Sequence, residues 1–261
     1  DVGPGAAGGR GAARVRWGSL MEGGTLLVVA VALPLAGALA VSLLGRWPNV
    51  REASSLATAG ALFTVVCSIL GRHQAGEHLE IELVEMLPGL SIAFEIEPLG
   101  MLFALVASGL WIVTTVYAIG YMRAHKEVNQ TRFFACFAVA IAATMGVALA
   151  RNLLTLFLFY EALTLSTYPL VTHAGTKEAR DAGRVYLGIL LTTSVLFLLF
   201  AIGWTYSLTG TLEFEPGGIL RDRADPLMIG VLLALFAFGT GKTALMPFHR
   251  WLPAAMVAPT P

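Results

Sequence analysis

Charge is what this chain has least of. Only 13% of its 261 residues are Asp, Glu, Lys or Arg, and the formal net charge is zero. Soluble domains carry about 25%. The neutral balance excludes the basic field with which proteins hold nucleic acid, so no nucleic-acid partner is expected. Cysteine is nearly absent too: Cys67 and Cys136 each sit in an apolar run, with no CxxC spacing. That argues against iron–sulfur ligation and structural zinc, and both read as small buried hydrophobes. The five histidines are scattered, with no pair at ligand spacing on one helix. No metal and no cofactor are expected.

Apolar residues fill the chain instead. They make up 56% of it, and the mean hydropathy is +0.74. The chain therefore reads as an integral membrane protein whose main partner is the lipid bilayer. A bilayer takes about 20 apolar residues per crossing. Candidate spans are 25–44, 53–70, 98–122, 133–150, 152–172, 184–208 and 226–248. The expected fold is an all-α polytopic membrane protein of about seven transmembrane helices, the seventh broken.

Residues 1–20 are rich in Gly, Ala and Arg and read as a disordered, non-native tail, with Met21 as the native start. The rival reading is the positive region of a signal peptide, but the apolar run that follows is long enough to span. Between the second and third spans, Leu79, Ile81 and Leu83 alternate with Glu80 and Glu82. After the turn signal Pro88-Gly89, residues Leu90, Ile92, Phe94 and Ile96 alternate again. This predicts a β-hairpin outside the membrane, its glutamates forming a solvated face rather than a cation site.

Lys and Arg in short loops set the orientation. Arg46, Arg51, Arg123, Lys126, Arg132, Lys177, Arg180, Arg184 and Arg250 fall on one side, and Arg72, Arg151, Arg221 and Arg223 on the other. The first group is expected in the cytoplasm of a cell (inner) membrane protein, with the N-terminus and the hairpin extracytoplasmic. Arg10, Arg14 and Arg16 argue the other way if the tail is native.

Two ionisable residues interrupt the apolar runs. Lys242 lies inside the seventh span, after Gly239 and Gly241 and before Pro247. A lysine at the centre of a membrane helix costs about 3 kcal/mol, so it reads as functional. Pro247 predicts a kink or break at that point. A charge beside a broken helix is how transporters expose polar groups to an ion path. Gly241-Lys242-Thr243 imitates the end of a phosphate-binding loop, but position 236 is Phe where that loop needs Gly. Nucleotide binding is rejected.

Glu161 is the second. It lies ten residues past Arg151, about 15 Å along a helix. Thr155, Thr164, Ser166 and Thr167 are its nearby hydroxyls. Counted from the outer ends, Glu161 is about 14 Å deep and Lys242 about 24 Å, so packed helices bring them within reach. Such a pair either exchanges a proton or locks two helices together. Asp181 and Arg184 share one helical face, the usual pattern of a solvated pair. His249 follows Pro247 and is placed either to relay a proton or simply at the interface. His173 reads as structural, and Tyr160, Trp111, Trp204 and Trp251 as packing or interface aromatics.

The pattern Gly241-Lys242-Thr243-Ala244, Pro247-x-His249-x-Trp251-Leu252-Pro253-x-Ala255-Met256, Ala258-Pro259-Thr260-Pro261 resembles the proton-conducting membrane subunit family. That family includes antiporter-like subunits of respiratory complex I, large Mrp-type cation/proton antiporter subunits and membrane subunits of related hydrogenases. Asn152-Leu153-Leu154 followed by mid-helix Glu161 is similar to the family's fifth-helix motif. The resemblance implies inverted five-helix repeats, each with a broken helix, and a water-joined chain of lysine, histidine and glutamate. Glu161 matches the gating glutamate and Lys242 the broken-helix lysine, while Asp181 and Arg184 only roughly match the family's sixth-helix charges.

The family continues with a histidine-bearing eighth helix and a second repeat, so this chain is expected to be part of a longer protein. Residues 21–97 hold two helices and the hairpin, and 98–261 hold the third helix and most of the first repeat. The implied function is proton translocation, or exchange of a cation such as Na+ or K+ for protons, among other membrane subunits of a complex. The alternative is a non-transporting scaffold subunit of an NADH-quinone oxidoreductase or energy-converting hydrogenase, with any redox site on partner subunits.

Overall fold

A computed structural model describes residues 9–87 and 90–258, with residues 9–22 and 87 described in backbone alone. Residues 1–8 of the expected tail and the Pro88-Gly89 turn lie outside the described residues, and the backbone of residues 9–20 begins the first helix. The helix α1 (Gly9–Leu43) is followed by α2 (Pro48–Gln74), the strands β1 (Glu80–Leu87) and β2 (Leu90–Glu95), α3 (Pro98–Ala124), α4 (Gln130–Ala148) and α5 (Leu153–Val171). Then come α6 (Lys177–Thr193), a π-helical turn at Ser194–Leu199, α7 (Phe200–Thr209), α8 (Pro226–Gly239) and the short α9 (Trp251–Ala255).

Pro48, Pro98 and Pro226 each open a helix, where the missing N–H has no helical acceptor to lose. Side chains cap α5, α6 and α8: Asn152 accepts from the Thr155 N–H at 2.8 Å, Thr176 from Ala179 at 3.1 Å, and Asp225 from Met228 at 2.7 Å.

Among the described residues, six helices are long and apolar enough to cross a membrane, the sixth being the continuous run Lys177–Thr209. The chain is a multi-pass membrane protein. Its seventh apolar helix, α8, has 14 residues, about 21 Å, which is short of a hydrocarbon core of about 30 Å. The helix ends at Gly239 rather than near Pro247, because Thr240 leaves helical geometry at ψ 62°. The chain then makes a 3-10 turn at Gly241–Thr243 and another at Phe248–Arg250. The break therefore comes before Lys242 and not after it.

The antiparallel hairpin pairs Glu80 with Glu95 and Leu87 with Leu90, with irregularities at Glu82/Val84 and Glu85/Leu87. It is stitched to the start of α5. The Arg151 N–H donates to the Ala93 carbonyl at 3.1 Å, Asn152 Nδ2 to the Ser91 carbonyl at 2.9 Å, and the Ala93 N–H to Thr155 Oγ1 at 3.1 Å. The hairpin glutamates are not only a solvated face. Arg151 stands 3.2 Å from Glu80, 3.6 Å from Glu95 and 2.9 Å from Glu213, and so joins both strands to the loop before α8.

The main core lies among α1 to α4 and the hairpin, around Leu27, Leu62, Phe94 and Trp111. Cys67 is exposed and Cys136 half-buried, contrary to the buried positions expected of them. In a membrane chain an apolar stretch faces lipid as readily as protein, so apolar neighbours do not imply burial in the core.

Candidate functional site

The lysine turn sits where three helices converge. Gly239 and Gly241 make this possible. A Cβ at Gly239 would come within 2.5 Å of the Leu198 backbone nitrogen, and one at Gly241 would strike Thr193 Oγ1. Leu198 belongs to the π-helical turn, so the broken helix closes directly on the irregular part of the α6–α7 span. Trp251 holds the turn from the other side, its indole N–H donating to the Gly241 carbonyl at 2.8 Å.

Lys242 points at α5. Its Nζ donates to the Tyr160 carbonyl at 3.1 Å and to Thr164 Oγ1, and it stands 3.5 Å from the centroid of the Tyr160 ring. Its backbone N–H donates to Tyr160 Oη at 3.1 Å. Thr164 gives its own hydroxyl proton to the Tyr160 carbonyl at 3.1 Å, leaving its lone pairs for the lysine. A carbonyl, a hydroxyl and an aromatic face are all acceptors, which suits a charged ammonium with three N–H donors.

Glu161 is the next residue along α5, half-buried, and its Oε1 is buried with no hydrogen-bond partner. No ion pair joins it to Lys242, so the direct contact expected from depth alone is replaced by the Tyr160–Thr164 cradle. The reason is angular: adjacent residues on a helix point about 100° apart, and the Gly241–Thr243 turn meets the Tyr160 and Thr164 face.

The other anticipated residues lie elsewhere. Asp181 and Arg184 form an exposed ion pair of 3.1 Å on α6. His249 is exposed in the 3-10 turn after Pro247. His173 is buried at the end of α5, its ring edge-on to Phe133 and both ring nitrogens without a hydrogen-bond partner. Tyr160 and Thr164, passed over as packing and local hydroxyl, touch the lysine.

Membrane helices around a half-buried lysine in the turn after a broken helix, with a mid-helix glutamate beside its cradle, define the class of antiporter-like membrane subunits. Residues 150–261 match the family described as NADH:quinone oxidoreductase/Mrp antiporter, TM, and residues 88–134 match NADH-Ubiquinone oxidoreductase (complex I), chain 5 N-terminus. The chain belongs to this family of antiporter-like membrane subunits. It is 28% identical over 244 residues to the Na(+)/H(+) antiporter subunit A1 of Staphylococcus haemolyticus, covering 91% of this chain and 30% of that one.

Two solved structures share the fold. One is a chain of the membrane-bound sulfane sulfur reductase, an archaeal respiratory membrane complex, with a TM-score of 0.73 and 23% identity over 89% of this chain and 48% of that one. The other is a chain of the Mrp complex from Dietzia sp. DQ12-45-1b, with a TM-score of 0.71 and 22% identity over 90% and 43%. The chain spans about 30% of that curated relative and under half of either neighbour.

Proposed function

We propose that this chain is the N-terminal part of a membrane subunit that moves protons, or exchanges Na+ or K+ for protons, within a multisubunit complex. The observation that carries the reading is the lysine cradle of Tyr160 and Thr164 beside the unpartnered Oε1 of Glu161. The cradle receives Lys242 as an ammonium. Movement of Lys242 toward Glu161 exchanges these neutral acceptors for a carboxylate, and the two groups then differ in their hold on a proton. Alternation between the two positions shifts a proton by one step through the membrane.

The hairpin and the N-terminus are assigned to the extracytoplasmic side on the excess of Lys and Arg at the opposite helix ends. Residues 21–97 then form the leading helices and hairpin, and 98–261 most of a first conducting repeat. Asp181, Arg184 and His249 are surface groups of that repeat.

The test is proton flux into vesicles carrying the full-length subunit in its complex. Glu161→Gln and Lys242→Ala are expected to lower flux while the complex still assembles. Unchanged flux in both variants overturns the reading. Loss of assembly, with normal flux in whatever assembles, favours the scaffold alternative.

A further inference from the structure

We infer that Thr167 and Tyr186 continue the proton path from Lys242 toward the membrane face opposite the hairpin. The inference rests on the transport reading above and names the next groups in its path.

Thr164, which accepts from Lys242 Nζ, lies one turn before Thr167 on the same face of α5. Residues so spaced have Cβ atoms about 5–6 Å apart, a gap that a single water molecule bridges. Thr167 Oγ1 is 2.6 Å from Tyr186 Oη on α6. Tyr186 is 6% exposed and lies edge-on to Trp251, whose indole holds the Gly241 carbonyl. The hydroxyl pair is therefore built into the wall of the lysine turn. Thr167 has a choice of carbonyls for its own proton, Leu163 at 2.8 Å and Thr164 at 3.1 Å, so its hydroxyl reorients at little cost.

The connection is one-sided. Toward the hairpin, α5 continues from Tyr160 through Phe159, Leu158, Phe157 and Leu156, with no polar side chain. The first hydroxyl beyond them, Thr155, is tied to the Ala93 N–H of the hairpin. On the other side, one helical turn before Tyr186, Ala182 lines an open groove of about 750 Å³ shared with Lys177, Asp181 and Pro253. A proton leaving the Lys242 ammonium passes to the bridging water, which gives its own to Thr167. Thr167 and then Tyr186 each accept a proton on oxygen as they release the one they held, and the proton from Tyr186 goes to water entering from the groove. No group keeps a net charge, and Lys242 is left neutral.

The experiment is proton flux in vesicles with the full-length subunit in its complex. Tyr186→Phe keeps the ring against Trp251, and Thr167→Val keeps the volume. Each is expected to lower flux about tenfold, less than a full acid–base group contributes because water partly substitutes. Thr167→Ser is expected to restore most of it. Wild-type flux in assembled Tyr186→Phe and Thr167→Val overturns the inference, as does a Thr167→Ser variant as slow as Thr167→Val. If Tyr186→Phe does not assemble, the two Thr167 variants decide. Flux that survives Lys242→Ala overturns the transport reading itself, whatever the Thr167 and Tyr186 variants do.

Discussion

Lys242 Nζ stands 3.5 Å from the centre of the Tyr160 ring and 3.1 Å from the carbonyl of that same residue. The lysine is thus held by the residue preceding Glu161, and the carboxylate is left beside it with one unpartnered oxygen. Tyr160 is expected to have two separable parts. Tyr160→Phe keeps the ring and loses the Oη that accepts the Lys242 N–H, at about 1 kcal/mol. Tyr160→Leu also loses the ring, adding up to about 2 kcal/mol for a desolvated cation–π contact. Thermal unfolding of the purified complex in detergent ranks the variants, and equal losses in both show that the ring does not hold the lysine.

Lys242→Met distinguishes transport from scaffolding. Methionine fills the same space without the charge, and a central lysine costs about 3 kcal/mol to place in a membrane. Assembly is expected to hold or improve while flux disappears. A scaffold whose helices need the cation would instead fall apart, and co-purification of the neighbouring subunits decides.

The close approach at Gly241 predicts a specific rescue. Gly241→Ala drives a methyl group into Thr193 Oγ1 and is expected to cost about 1–3 kcal/mol, as overpacking does. Thr193→Ala removes the obstructing atoms, so the double variant should recover a large part of the loss. Additive losses in the double-variant cycle would mean that the two residues do not meet.

How much of this was legible in the sequence varies by residue. Lys242 and Glu161 announced themselves because lipid makes any ionisable group conspicuous. Tyr160 and Thr164 did not, since aromatics and hydroxyls are ordinary in membrane helices and only the placement of the Gly241–Thr243 turn selects them. The helix break was anticipated at Pro247, the strongest local breaker, but it falls at Gly239 and Thr240. There the need for glycine comes from the facing Leu198 backbone, a partner that no local pattern reveals. Arg151 counted only as a loop charge, although it gathers carboxylates from three segments distant in sequence.

Arg151 is expected to matter more than a surface ion pair. It is 27% exposed, so solvent screens part of each contact. Its removal still leaves Glu80, Glu95 and Glu213 facing one another. Arg151→Ala is expected to cost about 1–3 kcal/mol, and Arg151→Lys somewhat less, because a lysine keeps the charge but lacks the planar fork. Hydrogen exchange of the hairpin amides should rise in Arg151→Ala before that of α2 does. Uniform protection across both variants would show that the hairpin is held by its backbone contacts alone.

His173 provides a pH test. Burial lowers the affinity of its ring for a proton below the ordinary value, the nearby Arg132 lowers it further, and the Val128 backbone and then Glu127 partly oppose them. The native state therefore keeps the ring neutral at a pH where the unfolded chain, near pKa 6.5, already takes up a proton. Uptake by the unfolded state lowers stability as pH falls from about 6.5 toward the depressed native value, by at most about 1.4 kcal/mol per pH unit. His173→Leu has no such group and removes two ring nitrogens that lack partners, so it should be more stable than the parent at neutral pH. Its advantage should widen between about pH 6.5 and pH 5. Unfolding temperatures of both proteins across that range check this, and a pH-independent difference between them would show that His173 does not titrate on unfolding.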